Sequence, residues 1–303
     1  MAVDAAFVNI DGPWQHRFVS ANGARFHLAE VGEGPLVLML HGFPQFWYTW
    51  RHQLLALSDA GFRAVAMDLR GYGGSDKPPR GYDTYMSTLD TASVIRALGE
   101  GEAVVLGQGL GGWIAWCMPV LRPDVTRAVA SLSMPHPRVM RRAALTDRRQ
   151  REASRWIARL QRPFQPERDL VRSHDCVASL LREWSSPFGE YPAADDIERY
   201  GTAMQIPFVA HSAAEHYRWI GRSTLRPDGP MFMRRIRHRI EVPVLHLQGT
   251  EDGCVLSRST AGSGAYVAAD YTRVPIEGAG HFLTEEAPEQ VNRALLDWLD
   301  AMD

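Results

Sequence analysis

The chain has 303 residues, 45% hydrophobic and 22% charged, with a formal net charge of −2. That length accommodates one large α/β domain or a core with an inserted subdomain, and the near-neutral balance excludes a general nucleic-acid or membrane-surface partner. No apolar run approaches a membrane span, and the first residues carry acids where a signal peptide has an apolar stretch.

Three cysteines, Cys117, Cys176 and Cys254, share no metal-ligand spacing and cannot all pair. They are expected to be reduced thiols in a soluble, cytoplasmic protein with no metal site and no cofactor. Lys77 is the only lysine among 33 basic residues, which reflects coding bias rather than a functional choice.

Taken in order, residues 17–20 and 25–31 flank Asn22-Gly23, a strong hairpin signal. Residues 35–40 read as a buried strand ending in His41-Gly42-Phe43-Pro44, followed by an aromatic helix over 46–60 and a second buried strand over 62–67. Residues 68–78 are too rich in glycine and proline to be regular, and a helix is expected over 85–98. The run Ala103-Val104-Val105-Leu106 has the β-branching of a buried strand; it ends in Gly107-Gln108-Gly109-Leu110-Gly111-Gly112, with a helix over 112–121 and another strand over 126–133. From 136 to 240 the alternation stops, and arginine-rich amphipathic segments broken by prolines take its place. Acids interspersed there, such as Asp147 and Glu167, indicate solvated helix faces rather than an anion site. A buried strand returns over 242–249, a further one over 271–276, and a closing helix over 288–302.

Strands alternating with helices give a mostly parallel, doubly wound sheet. Residues 1–135 and 241–303 are its core. Residues 136–240 form a helical lid over the carboxyl ends of the strands, where ligands bind in such sheets.

Strand, tight glycine turn and helix at 103–121 are the context of a nucleophile elbow, G-x-Nuc-x-G. The attacking position is Gly109, which has nothing to attack with but adopts positive φ without penalty. Gly107, Gly109 and Gly112 also match G-x-G-x-x-G, a weak signal alone; the acid expected near Asp124 lies on an Arg-Pro-Asp turn instead. A P-loop fails, since no Gly-Lys-Ser/Thr follows.

His41-Gly42-Phe43-Pro44 with Phe46-Trp47-Tyr48-Thr49-Trp50-Arg51, the 68–78 loop, the elbow and Gly278-Ala279-Gly280-His281-Phe282 together resemble the epoxide hydrolases of the α/β-hydrolase superfamily, especially the actinobacterial type. The resemblance covers nearly the whole chain and implies the α/β-hydrolase fold. It also implies a two-step reaction, in which an elbow aspartate opens the epoxide to an ester and a His–acid pair activates water to hydrolyse it. By resemblance His281 is the base and Asp252 its orienting acid, in the chain order of this fold. Read without it, the two are a loop histidine and a turn aspartate. The backbone N–H groups of Phe43 and Leu110 would form the oxyanion hole, with a cis Phe43–Pro44 bond. Tyr217 matches the second lid tyrosine; alone it could equally be aromatic packing. The first lid tyrosine falls near Trp156, and Trp47 joins Trp156 as an expected substrate contact.

Two departures stand out: Gly109 replaces the family aspartate, and Gln108 the histidine that usually precedes it. Serine-esterase and haloalkane-dehalogenase readings fail at Gly109, and the latter also at Leu110 and Phe43. Asp68 is expected to tie down its own loop. The substrate implied is a small apolar epoxide, with homodimer formation left open. Two functions remain: a hydrolase in which His281 and Asp252 activate water directly with Tyr217 as acid, or an inactive homologue that binds an apolar molecule.

Overall fold

The computed structural model describes residues 2–302. Its strands are β1 (Gln15–Ala21), β2 (Ala24–Val31), β3 (Leu36–Leu40), β4 (Arg63–Met67), β5 (Ala103–Gln108), β6 (Thr126–Leu132), β7 (Val244–Gly249) and β8 (Tyr271–Ile276). They form one sheet in the order β1-β2-β4-β3-β5-β6-β7-β8. β1 pairs antiparallel with β2, and β2 antiparallel with β4; every other pairing is parallel. The central strands β3, β5 and β7 are buried at every residue, as a sheet covered on both faces requires. In the β1–β2 turn Asn22 and Gly23 both have positive φ, 44° and 70°, the backbone that an Asn-Gly hairpin selects.

Helices α1 (Arg51–Asp59), α2 (Thr84–Ala97), α3 (Leu110–Leu121) and, at the end of the chain, Pro288–Asp300 flank the sheet. α1 packs against the closing helix and α2 against α3. The continuous helix expected over 46–60 is broken: Phe46 is extended, Trp47–Trp50 form a 3-10 turn, and the α-helix starts only at Arg51. The Trp47 N–H, which no helical carbonyl could reach at a helix start, is satisfied by the Asp68 carboxylate at 2.9 Å.

Between β6 and β7 run α4 (Pro137–Thr146), α5 (Arg148–Ala153), α6 (Arg155–Leu160), α7 (Gln165–Arg172), α8 (Asp175–Trp184), α9 (Ala194–Met204), α10 (Val209–Arg222) and α11 (Asp228–Arg235). This insertion contains no strand among the described residues. After β8 follow α12 (Leu283–Glu286) and the closing helix, α13. Among the described residues no helix is long and apolar enough to cross a membrane.

Candidate active site

The turn between β5 and α3 is crowded on every side. A Cβ at Gly107 would meet the Gly111 carbonyl oxygen at 2.1 Å, and one at Gly111 the Leu40 carbonyl oxygen at 2.0 Å. Only glycine fits where backbones approach so closely. Gly109, at the apex, has φ 54° and ψ −111°, a conformation L-residues hold only under strain. A Cβ there would point at His281, 3.3 Å from its Nε2. The elbow therefore aims its apex position at the expected base.

His281 is fixed from two directions. Its Nδ1 lies 3.0 and 3.2 Å from the two oxygens of Asp252, and its backbone N–H donates to the Trp184 carbonyl at 2.9 Å. Because a carboxylate accepts, Nδ1 carries the ring proton and Nε2 turns a lone pair toward Gly109. Asp252 is held in turn: Oδ1 accepts from the backbone N–H groups of Cys254 and Val255, both at 2.8 Å, and Oδ2 from Gln248 Nε2 at 2.9 Å. Both side chains are nearly inaccessible to solvent.

Phe43 follows His41-Gly42 at the end of β3, and the Phe43–Pro44 bond is cis. Burial pulls the His41 pKa below its ordinary value, against the opposing pull of Asp68. The neutral ring donates from Nδ1 to the Gly42 carbonyl at 2.8 Å and accepts the Leu69 N–H at Nε2. It thereby locks the loop that carries Phe43. Among the described residues neither the Phe43 nor the Leu110 N–H has a hydrogen-bond partner, and Leu110 opens helix α3, whose dipole favours negative charge at that end.

A cavity of about 50 Å³ lies over the elbow, lined by Gly109, Leu110, Trp156, Trp184, Tyr217 and His281 among others. Tyr217, on α10, is packed by Phe43 and Trp156, with ring centroids 5.7 and 4.6 Å away. Burial, with smaller contributions from Tyr72 and Cys254, holds its phenol pKa well above the ordinary value, so the hydroxyl keeps its proton. Among the described residues that hydroxyl donates to no protein group. Trp156, on α6, lies parallel to Phe43 at 5.8 Å and 7°, and its indole N–H faces the Cys254 thiol rather than the elbow.

His281, Asp252, Tyr217, Gly109, Phe43, Leu110 and Trp156 thus converge on one space. Trp47 does not. Its indole is fully buried beneath the amino-terminal segment, donates to the Val8 carbonyl at 2.8 Å and lines no part of the cavity. The reason is the 3-10 turn, which directs Trp47 into the core instead of along a helix face. Asp68 binds His27 Nδ1 at 2.8 Å and the Gly74 N–H at 2.8 Å, anchoring its loop.

Two further residues escaped sequence reasoning, and Gln108, noted there only as a departure, proves to be a structural link. Gln108 joins the elbow strand to its neighbours, donating to Gln45 and accepting from the Thr284 hydroxyl at 3.0 Å. Glu286 accepts the backbone N–H groups of Ser186, Gly280 and Phe282, each at 2.8 Å, and so clamps the turn that bears His281. Trp184 supplies the carbonyl beneath His281 and packs its ring edge-on against the imidazole at 5.6 Å. A glutamate five residues beyond the histidine was a visible signal for Glu286; Trp184 had none.

The chain has relatives among known proteins. The model of the alpha/beta hydrolase family matches residues 37–294. The AB hydrolase superfamily protein YfhM of Bacillus subtilis is 32% identical over 93% of this chain and 97% of its own length. Epoxide hydrolase A of Mycobacterium tuberculosis is 31% identical over 95% of this chain and 98% of its own. Among solved structures, an epoxide hydrolase from an endophytic Streptomyces superposes with a TM-score of 0.83 at 30% identity, covering 96% of this chain and 97% of that one.

Proposed function

The chain belongs to the alpha/beta hydrolase family and resembles its epoxide hydrolases over nearly its whole length; on that premise we propose that it hydrates a small apolar epoxide to a diol by direct attack of water. The observation that carries this reading is the aim of His281 Nε2 at the Gly109 apex, 3.3 Å from where a side chain would begin. Residues 136–240 act in it as the lid.

In this mechanism a water bound between Gly109 and His281 is the nucleophile. Its oxygen attacks an epoxide carbon while Nε2 takes one of its protons, and Asp252 stabilises the imidazolium that results. The Leu110 N–H and the α3 dipole favour the negative charge developing on that oxygen. As the carbon–oxygen bond of the ring breaks, the leaving oxygen takes the Tyr217 proton. The imidazolium proton returns through solvent to the phenolate, and a diol departs with the enzyme unchanged. No ester forms, because residue 109 has no carboxylate.

Magnitudes set the expected rate. Removing a nucleophile that works as part of a triad can cost about 10⁶-fold, and general acid–base catalysis contributes only about 10²–10⁴-fold. Turnover should therefore be about 10²–10⁴-fold below that of a relative with an intact nucleophile. The missing nucleophile also favours a second reading, a non-catalytic protein that binds an apolar molecule over the elbow. Diol formation from an epoxide by the native chain, by His281→Ala and by Asp252→Asn separates the two. Loss in both variants supports hydration, whereas equal rates in all three leave only the binding reading.

A further inference from the structure

We propose that a second chamber, beyond Trp156, is the subsite for the substrate's substituent, and that Trp156 is the partition deciding which epoxides are hydrated. This rests on the hydration reading and names the substrate class: an epoxide bearing an apolar group the size of an aromatic ring.

The chamber has a volume of about 150 Å³. Phe43, Leu160, Pro166 and Leu170 form its buried apolar floor, whereas Arg159 and Arg162 stand exposed at its rim. Trp156 alone lines both this chamber and the cavity over Gly109. The two volumes differ in what they can hold. An apolar cavity of about 150 Å³ binds benzene, so the outer chamber can seat an aromatic ring. The inner cavity, at about 50 Å³, seats an epoxide ring and a water but no phenyl group. A substituted epoxide whose ring faces Nε2 of His281 must therefore extend past the indole.

The indole is positioned to yield. It sits on α6, a helix of six residues. Its neighbours are aromatic faces, Trp184 at 4.7 Å and Tyr217 at 4.6 Å, and its N–H meets only the thiol of Cys254, a weak acceptor. Rotating it breaks no strong hydrogen bond, and a substrate ring can take its place against Phe43.

The test compares kcat/KM for styrene oxide and propylene oxide in the native chain, Trp156→Ala and Leu180→Trp, the last of which narrows the outer chamber from a half-buried wall. The styrene oxide to propylene oxide ratio should rise about tenfold or more in Trp156→Ala and fall comparably in Leu180→Trp. An unchanged ratio in both, with both substrates turned over, overturns the partition and leaves hydration standing. If neither epoxide reacts, the hydration reading fails, and the chamber is judged by toluene titration followed at the Leu160 methyl resonances. Saturable shifts that Leu180→Trp abolishes support the chamber as a ring-binding site; no saturable shift overturns it.

Discussion

Gly109→Ala places one methyl where the proposed water has to stand. The new carbon would lie 3.3 Å from Nε2 of His281 and 3.7 Å from Cα of Gly42, whereas a water donating to Nε2 sits about 2.7–3.2 Å from it. The cavity has room for a water, but the methyl would stand in the one position over the elbow from which that water reaches Nε2, so the two compete for it. Excluding the water removes a general-base contribution of about 10²–10⁴-fold, and diol release should fall by about 100-fold or more. The backbone adds a separate signature. Alanine at φ 54° and ψ −111°, outside the regions L-residues populate, costs about 1–3 kcal/mol. With an unfolding entropy of about 2.1 cal/mol/K per residue over this chain, that lowers the melting temperature by about 2–5 °C. Chromatographic assay of the diol at matched concentrations of folded protein, beside thermal melts, reads both effects. A variant that melts a few degrees lower yet releases diol at the native rate would refute the placement of the water.

Gly109→Asp returns the family's attacking group to a site whose base and acid are already aligned. A gain of about 10²–10⁴-fold is expected, together with an elbow peptide heavier by the mass of the epoxide in His281→Gln background, and absence of both means the site is not poised. Tyr217→Phe removes the proposed acid, a hydroxyl that forms no hydrogen bond among the described residues. Activity should drop by about 10²-fold or more while the melting temperature stays within about 2 °C; full activity in the variant assigns the proton to another donor. For pH dependence, burial is the largest cause pulling His136 and His246 down to about 3 and His216 down to about 4. Their folded pKa values lie below the unfolded ones, so their contribution to stability is present above about pH 6.5 and is lost as pH falls toward the folded values. Each adds up to about 1.4 kcal/mol per pH unit, so melts taken from pH 7 to pH 4.5 should fall steeply, and a flat profile there would contradict neutral burial.

What the sequence made legible was what short-range physics controls. The apolar runs at 36–40 and 103–106 read as central strands, the strand at 244–249 did so despite His246 and Gln248, and Asn22-Gly23 marked the hairpin turn. His281 and Asp252 were picked out by the family resemblance, and the structure brings them within 3.0 Å of each other. Trp47 was misplaced because periodicity does not register the Val8 carbonyl, thirty-nine residues away, that holds its indole in the core. Gln108 and Trp184 act through partners at 284, 253 and 281, contacts that exist only once the sheet and the insertion have met. The outer chamber is likewise a product of helix packing, and no run of residues announces it.

The carbonyl of Trp184 receives the N–H of His281 at 2.9 Å and that of Gly253, beside Asp252, at 3.4 Å; two residues on, the Ser186 N–H reaches Glu286. The end of one inserted helix is thus stitched to the loops bearing both His281 and Asp252. Swinging that helix away would drag the two side chains out of register. On the proposed hydration reading, entry and exit then proceed by small sideways yielding of ring side chains, and a few aromatic groups rather than a hinge set their tempo.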